Sequence, residues 1–350
     1  MSIVKLGMTN PLPDEMLVEA LRRFDRVYVV EELEPYLEEA VAALGFRPRG
    51  KDSIPRHGEL NVDVVREAFP ELSQEKPPPG TSGPEGLPAR PPILCAGCPH
   101  RGIMYVLARL KAIIAGDIGC YTLSVLPPLS AHDCQVCMGA SISMGHGLSK
   151  ALELAPPSRG EKEKTPRHRV VSVIGDSTFF HSGLAGLMEM AYNGGKFTVV
   201  ILDNRTTAMT GFQDHPGTGR NLRGEKTESV DLEALARAME IESVRVVDPY
   251  DLDECRSVLS EEMNRDAPSL VIARRPCVLL DRKARRSPLK ISREECNDCG
   301  ACMRLACPAL VRRGEKVVIM PESCTGCGVC AQVCNRGAIQ LALQDEGVPG

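Results

Sequence analysis

Two cysteine runs near the C-terminus, CNDCGACMRLACP (296–308) and CTGCGVCAQVCN (324–335), decide the fold of this end of the chain. Each run spaces three cysteines as C-x2-C-x2-C and adds a fourth cysteine shortly afterwards. In bacterial-type ferredoxins, three cysteines of such a run hold one [4Fe–4S] cluster and the fourth reaches across to the other cluster. The eight thiols therefore predict two [4Fe–4S] clusters and a protein that transfers electrons one at a time.

The crossed arrangement gives each cluster one ligand from the other run. It predicts one cluster held by Cys296, Cys299, Cys302 and Cys334, and a second held by Cys324, Cys327, Cys330 and Cys307. Eight thiols also suit two zinc ions, but Pro308 and three glycines within the runs favour iron–sulfur: Gly300, Gly326 and Gly328. Asn335 stands where a second proline is expected, a departure that removes no ligand.

Composition narrows the remaining function classes. The 350 residues suffice for two or three domains, and a net charge of −4 without tryptophan argues against nucleic-acid binding. No apolar run approaches the roughly 18 residues that a membrane helix needs, and the N-terminus lacks the layout of a secretory signal. Fifteen cysteines are then better explained as metal ligands in a reducing compartment than as disulfides. We therefore predict a cytoplasmic protein that binds neither membranes nor nucleic acid.

Alternating β-branched and helical runs in the middle of the chain predict an α/β fold with a doubly wound parallel sheet. Its clearest strands are expected at Val170–Ile174, Thr198–Leu202, Val244–Val247 and Leu270–Ala273. A smaller α/β piece precedes it, with strands predicted at Ile3–Leu6 and Arg26–Val30, a helix from Asp14 to Arg23, and a helix opening at Glu31. The predicted domains are 1–75 (small α/β), 76–92 (Pro/Gly-rich linker), 93–281 (sheet), 282–292 (basic linker) and 293–345 (ferredoxin-like).

Polar residues follow two of the predicted strands. Asp176 comes directly after the strand that begins at Val170, and Asn204 follows the strand that begins at Thr198. Ligands of doubly wound sheets gather at the carboxyl ends of the strands. One Asp, one Asn and a backbone carbonyl offer the hard oxygens that Mg²⁺ prefers, with positions left for two phosphate oxygens. The alternative is that these residues merely form two turns.

Longer phrases around these residues resemble a known family: CAGCPHR (95–101), GDIGCYTL (116–123), CMGAS (137–141), GDSTFFHSGL (175–184) and ILDNRTTAMTGFQDHPGTG (201–219). With the ferredoxin-like tail, they resemble the alpha subunits of indolepyruvate:ferredoxin oxidoreductases, in the 2-oxoacid:ferredoxin oxidoreductase superfamily. The resemblance implies thiamine diphosphate bound through Mg²⁺, which Asp176, Asn204 and the carbonyl of Thr206 would hold. It further implies that Gly139, Gly175 and Ser177 line the cofactor. Ser177 and Phe212 depart from the family's usual glycine and histidine.

The resemblance also implies an activity and partners. The family decarboxylates arylpyruvates such as indolepyruvate oxidatively to aryl-acetyl-CoA and CO₂, and passes the electrons through its clusters to ferredoxin. It implies a small beta subunit. The activating glutamate of the family lies in a pyrimidine-binding domain, which we expect a separate chain to supply, while residues 1–75 resemble the transketolase C-terminal-like domain. A different 2-oxoacid substrate, or a non-catalytic iron–sulfur electron-transfer subunit, are the alternatives.

Seven cysteines lie outside the two tail runs. Four of them match positions that hold a further cluster near thiamine in related oxidoreductases, which implies a third [4Fe–4S] cluster: Cys95, Cys98, Cys120 and Cys277. A rival C-x2-C pair is formed by Cys134 and Cys137, and a purely structural role is the other alternative. His100 and His181 are candidate catalytic residues, with structural hydrogen bonding as the alternative.

Overall fold

The computed structural model describes residues 2–72, 91–154, 170–280 and 286–341, which divide into two units, Met1–Ala89 and Arg90–Gly350. The described part of the first unit contains helices α1 (Asp14–Leu21), α2 (Tyr36–Ala43) and α3 (Val62–Ala68), with a short 3₁₀-helix at Pro70–Leu72. Its apolar core includes Leu17, Leu21, Val29 and Val41.

The first unit differs from three of its predicted elements. The strand predicted at Ile3–Leu6 is wrong, because these residues form no strand and Ile3 is largely exposed. The strand predicted at Arg26–Val30 is reduced to a single parallel bridge between Tyr28 and Arg49. The helix predicted to open at Glu31 begins at Tyr36, after a proline. The Glu31 carboxylate instead accepts hydrogen bonds from the backbone N–H groups of Leu37 (2.7 Å) and Glu38 (2.9 Å), so it caps α2 from outside the helix.

The second unit is built on a five-stranded parallel sheet, which confirms the predicted fold class. The strands are β1 (Ile113–Ala115), β2 (Val170–Gly175), β3 (Thr198–Asp203), β4 (Ser243–Val247) and β5 (Ser269–Arg274), in the spatial order β1-β2-β3-β5-β4. All pairs are parallel, and the four predicted strands match within one residue at each end.

Helices cover both faces of this sheet. They are α4 (His100–Arg109), α5 (Ser141–Leu154), α6 (Asp176–Thr178), α7 (Leu184–Tyr192), α8 (Leu232–Ala238) and α9 (Leu252–Glu262), with a π-helix at Phe179–Gly183 between α6 and α7. Because successive strand residues point to opposite faces, Val171 and Val200 pack with α4 and α9, whereas Val199 and Ile201 pack with α5, α7 and α8. Burial on both faces explains why these strands are continuous apolar runs.

The cysteine runs fold into a small domain with two antiparallel pairs. Strand β6 (Leu289–Ile291) pairs with β9 (Ile339–Leu341), β7 (Leu310–Arg313) pairs with β8 (Lys316–Ile319), and helix α10 (Val329–Val333) follows the second run. The segment 282–292 is therefore strand rather than linker at 289–291. The linker predicted at 76–92 lies outside the described residues except for its last two positions. None of the described helices has the length and apolar character required to cross a bilayer.

Candidate cofactor site and cysteine clusters

Three oxygen atoms converge at the carboxyl ends of β2 and β3. The side-chain oxygen Oδ1 of Asn204 lies 3.2 Å from Oδ1 of Asp176 and 2.7 Å from the carbonyl oxygen of Thr206. None of these atoms can donate a hydrogen bond, so the arrangement is stable only if the Asn204 amide turns over or a cation lies among them. Ligands about 2.1 Å from an octahedral Mg²⁺ are about 3 Å from their neighbours. The three oxygens therefore fit the Mg²⁺ that the family resemblance implies.

Asp176 accepts two backbone hydrogen bonds and has a buried histidine beside it. The backbone N–H of Ser177 donates to Oδ1 (2.9 Å) and that of Arg205 donates to Oδ2 (2.8 Å). Nε2 of buried His215 lies 3.2 Å from Oδ2. The backbone N–H of Gly217 donates a hydrogen bond to Nδ1 of His215 (3.2 Å) and so orients the ring. His215 was not singled out from the sequence, although it lies within one of the quoted phrases.

A fully buried carboxylate, Asp117, joins the loops that carry the predicted cofactor-lining residues. It accepts hydrogen bonds from the backbone N–H groups of Ile118 (2.8 Å), Gly139 (2.9 Å) and Ser141 (3.2 Å). Gly139 has a φ of +88°, and a side chain there would overlap Ser182 of the π-helix. Glycine is thus required where this loop passes the π-helix. Asp117 is a site residue that sequence patterns did not reveal.

Gly175 and Ser177 are tied to the same neighbourhood. The hydroxyl of Tyr121 accepts a hydrogen bond from the N–H of Gly175 (2.9 Å), and the hydroxyl of Thr207 donates to that of Ser177 (2.8 Å). Burial, with the carboxylate of Asp117, raises the pKa of Tyr121 well above its ordinary value, so the phenol stays protonated. Gly175 and Ser177 thus flank Asp176 in the structure, whereas Gly139 is held by Asp117.

The two candidate histidines have different environments. His100 is buried, and its Nε2 lies 3.4 Å from Nδ2 of Asn204. Burial lowers its pKa to about 4 against the opposing effect of the Asp176 carboxylate, so the ring is uncharged near neutral pH. His181 is exposed on the π-helix, and its Nδ1 lies 2.5 Å from the hydroxyl of Ser182. His100 is therefore the one that neighbours a predicted metal ligand.

The eight tail cysteines line two separate cavities. Set 1 (Cys296, Cys299, Cys302 and Cys334) lines one cavity, and set 2 (Cys307, Cys324, Cys327 and Cys330) lines the other. These are the two crossed sets expected from the spacing of the runs. Burial raises the pKa of Cys302, and the neighbouring thiolates of set 1 raise it further. No three Cys, His, Asp or Glu side chains of the described ranges lie close enough to hold one metal ion.

The four cysteines predicted for a third cluster also come together. We call Cys95, Cys98, Cys120 and Cys277 set 3. Burial raises the pKa of Cys98 to about 12, and Cys120 and Cys95 act on it electrostatically. Cys277 and Cys95 act in the same way on Cys120, and Asp176 acts on Cys277. The rival pair does not join this group, since Cys134 is influenced by burial and Asp133, and Cys137 is exposed.

A buried arginine lies beside set 3. Arg101 is 3% exposed, and its guanidinium donates to the carbonyl oxygens of Leu305 (2.5 Å), Leu94 (2.6 Å) and Cys95 (3.0 Å). Among the described residues, no carboxylate lies within ion-pair distance of it. A buried cation without a counter-charge is costly. Arg101 therefore fits an anionic group at the Cys95–Cys98 turn, as a thiolate-bound iron–sulfur cluster would be.

Comparison with known proteins defines the class. Residues 117–273 match the thiamine pyrophosphate enzyme family, C-terminal TPP binding domain, and residues 288–339 match the 4Fe-4S dicluster domain. A TPP-binding domain followed by a dicluster iron–sulfur domain is thus the architecture of this chain.

The particular family follows from longer similarity. Over 97% of its length the chain is 37% identical to indolepyruvate oxidoreductase subunit IorA of Archaeoglobus fulgidus, and over 98% it is 38% identical to that of Pyrococcus horikoshii. Over the region that it spans, the chain belongs to this subunit family. It covers 56% and 57% of the two relatives. A solved 2-oxoglutarate:ferredoxin oxidoreductase from Magnetococcus marinus is 18% identical, with a TM-score of 0.45 over 55% of this chain and 69% of that chain.

Proposed function

We propose that the chain binds thiamine diphosphate and carries electrons in an oxidoreductase that decarboxylates an arylpyruvate such as indolepyruvate. The products are an aryl-acetyl-CoA and CO₂, and the electrons pass to ferredoxin. The observation that carries the proposal is that the Asp176 carboxylate, the Asn204 side-chain amide and the Thr206 carbonyl meet in the same unit as three cysteine sets. The name of the related subunits, indolepyruvate oxidoreductase, supports the substrate class.

Residues at the carboxyl ends of the strands would hold the cofactor. Asp176, Asn204 and the Thr206 carbonyl hold Mg²⁺, which neutralises the diphosphate. Thiamine diphosphate, when bound, supplies the nucleophilic carbon and the electron sink for loss of CO₂. Asp117 fixes the backbone N–H of Gly139, and His100 adds no positive charge beside the metal ligands near pH 7.

Set 3 is proposed to hold a third [4Fe–4S] cluster between this site and the tail clusters. Three features support it: each of the four thiols interacts electrostatically with at least one other, Asp176 acts on Cys277, and Arg101 supplies a buried positive charge. Iron counting on the anaerobically loaded chain tests the proposal. Three clusters give about twelve irons per chain, and about eight would leave no iron for set 3.

The proposal includes three partners. They are a small beta subunit, the family's pyrimidine-binding domain with its activating glutamate, and ferredoxin as the electron acceptor. Their support is the family resemblance and the fact that the matched TPP family describes the C-terminal TPP-binding domain.

Anaerobic copurification of the chain with its partners from the native source tests the function. The assembly is analysed for thiamine diphosphate, Mg²⁺ and iron, and ferredoxin reduction is then followed with indolepyruvate, phenylpyruvate or pyruvate, each with coenzyme A. We expect reduction with the two aryl substrates. Reduction with pyruvate alone would assign a different 2-oxoacid, and an assembly with iron but no thiamine would assign a non-catalytic electron-transfer subunit.

A further inference from the structure

The turn between Cys95 and Cys98 forms part of the wall of the set 2 cavity. Ala96 and Gly97 line that cavity together with Thr325 and the four cysteines of set 2. Gly97 has a φ of +69°, and a side chain there would overlap Thr325. The residues that line the set 1 cavity, by contrast, lie between Ile291 and Ile339. Set 2 is therefore the inner of the two tail sets, directly beside the turn that carries two thiols of set 3.

Tyr250, which belongs to the sheet domain, forms a hydrogen bond to this turn. Its hydroxyl donates a hydrogen bond to the carbonyl oxygen of Gly97 (2.5 Å), a residue distant in sequence. The guanidinium of Arg275 lies over the Tyr250 ring, 4.0 Å from its centre. Arg275 binds the carboxylate of Asp248 through two nitrogens, and the same carboxylate accepts a hydrogen bond from the N–H of Tyr250 (2.9 Å). The ring is thus fixed by a planar, two-point arginine contact.

Gln332 fastens Tyr250 from the side of the cysteine domain. Its side-chain amide donates to the carbonyl oxygen of Tyr250 (2.7 Å) and accepts from the N–H of Leu252 (2.9 Å). Gln332 lies on α10, between Cys330 of set 2 and Cys334 of set 1. Tyr250 is therefore bonded to the turn of set 3 through its hydroxyl and to the helix of the tail domain through its backbone.

We propose that Tyr250 is a positioning residue for electron transfer, which with Arg275 and Gln332 fixes the distance between the clusters of set 3 and set 2. The proposal rests on the proposed third cluster. With clusters bound at both sets, one electron would leave the set 3 cluster, which is oxidised, and enter the set 2 cluster, which is reduced. No bond forms or breaks and no proton moves. Because electron tunnelling slows steeply with distance, the hydrogen bonds that hold set 3 and set 2 together would determine the rate of electron transfer between their clusters.

The test is Tyr250→Phe in the full chain, loaded anaerobically with iron and sulfide. The substitution removes the hydroxyl that donates to Gly97 and keeps the ring beneath Arg275. We expect a weaker magnetic interaction between the two reduced clusters in electron paramagnetic resonance spectra. Loss of one hydrogen bond of about 1 kcal/mol reduces the population of the fixed arrangement about fivefold. Electron equilibration after flash reduction should therefore slow by about the same factor. Iron content and cluster potentials should not change.

Tyr105→Phe is the matched control. Tyr105 belongs to the same apolar core, and its hydroxyl makes no hydrogen bond within the described ranges. Tyr105→Phe should leave the magnetic interaction and the equilibration rate at their wild-type values. Equal effects of the two substitutions would overturn the positioning role alone. So would wild-type coupling and kinetics in Tyr250→Phe when the chain carries about twelve irons. An iron count of about eight in the wild-type chain would instead remove the third cluster, and this inference with it.

Arg275→Lys separates position from charge. Lysine keeps the positive charge but loses the planar two-point contact, so we expect the same slowing with an unchanged potential of the set 2 cluster. Wild-type kinetics in Arg275→Lys, together with a lowered set 2 potential in Arg275→Gln, would show that charge rather than position governs the junction, and would overturn the proposal.

Discussion

Oδ1 of Asn204 faces Oδ1 of Asp176 across 3.2 Å, although neither atom can donate a hydrogen bond. The two residues follow neighbouring parallel strands whose register pairs Gly175 with Leu202, so they project from the same edge of the sheet. Without a cation, turning the Asn204 amide over would let it donate to both Asp176 and Thr206. Metal binding and the orientation of this amide are therefore coupled.

Asp176→Asn should abolish tight metal binding, because it replaces a charged ligand by a neutral one. We expect the affinity for Mn²⁺ with thiamine diphosphate to fall by more than the roughly 10- to 100-fold that loss of an outer-shell partner costs. Paramagnetic resonance of Mn²⁺, added in place of Mg²⁺ to the full chain, measures this. The control, Asp266→Asn, alters an exposed carboxylate that pairs with Lys196 just before β5, at the opposite edge of the sheet. Wild-type Mn²⁺ binding by Asp176→Asn would refute the proposed ligand set.

Cys277→Ala should remove one cluster, because set 3 then retains three thiols. The loaded chain is expected to lose about four of about twelve irons. Cys137→Ala changes an exposed cysteine outside set 3 and should retain them all. The measurement is iron and acid-labile sulfide per chain. Loss of iron from Cys137→Ala but not from Cys277→Ala would assign the rival pair instead.

Cys255 should be chemically inert in the folded protein. It is fully buried on α9, and its thiol donates to the carbonyl oxygen of Asp248 (3.3 Å). Burial, with the nearby carboxylates of Glu254 and Asp248, raises its pKa to about 12, so about one molecule in ten thousand carries the thiolate at pH 8. Native alkylation followed by peptide mass spectrometry should label exposed Cys137 and spare Cys255 until the chain is unfolded. Similar labelling rates at the two residues would contradict the prediction.

Asp117→Asn should destabilise the sheet domain, since an amide nitrogen would face backbone N–H groups that now donate to a carboxylate oxygen. We expect the free energy of unfolding to fall by about 3 kcal/mol, the value of one to two hydrogen bonds to a charged group. Denaturant unfolding of the full chain measures this, with Asp214→Asn as a control on an exposed carboxylate. Equal stability of the two variants would show that Asp117 does not hold the loops together.

The sheet could be predicted because its strands are buried on both faces and read as continuous apolar runs. The limits of that signal are visible at Ser269, which the prediction left outside β5. Its hydroxyl donates to the hydroxyl of Thr198 (3.1 Å), a pairing that satisfies two buried polar groups inside the sheet. The converse error is Ile3–Leu6, an apolar run that finds no strand partner among the described residues and is therefore not a strand.

The candidate site was predictable where its residues follow strands, as Asp176 and Asn204 do. Arg101 and Tyr250 were not, because their partners are remote in sequence: Arg101 contacts Leu305, and Tyr250 contacts Gly97. Local patterns carry no information on such contacts. The start of α2 was predicted too early, at Glu31. The error has a local cause, because the Glu31 carboxylate caps this helix from outside it.

The interlaced cysteine sets also constrain synthesis of the chain on the ribosome. Set 1 needs Cys334, and set 2 needs thiols up to Cys330, so the first run emerges well before either cage has four donors. A nascent chain released before Cys334 is synthesised would lack one ligand of set 1 when it meets the cell's cluster-assembly proteins. Insertion of both clusters into this tail therefore has to wait until Cys334 has been synthesised, and the two cysteine sets depend on the same stretch of polypeptide.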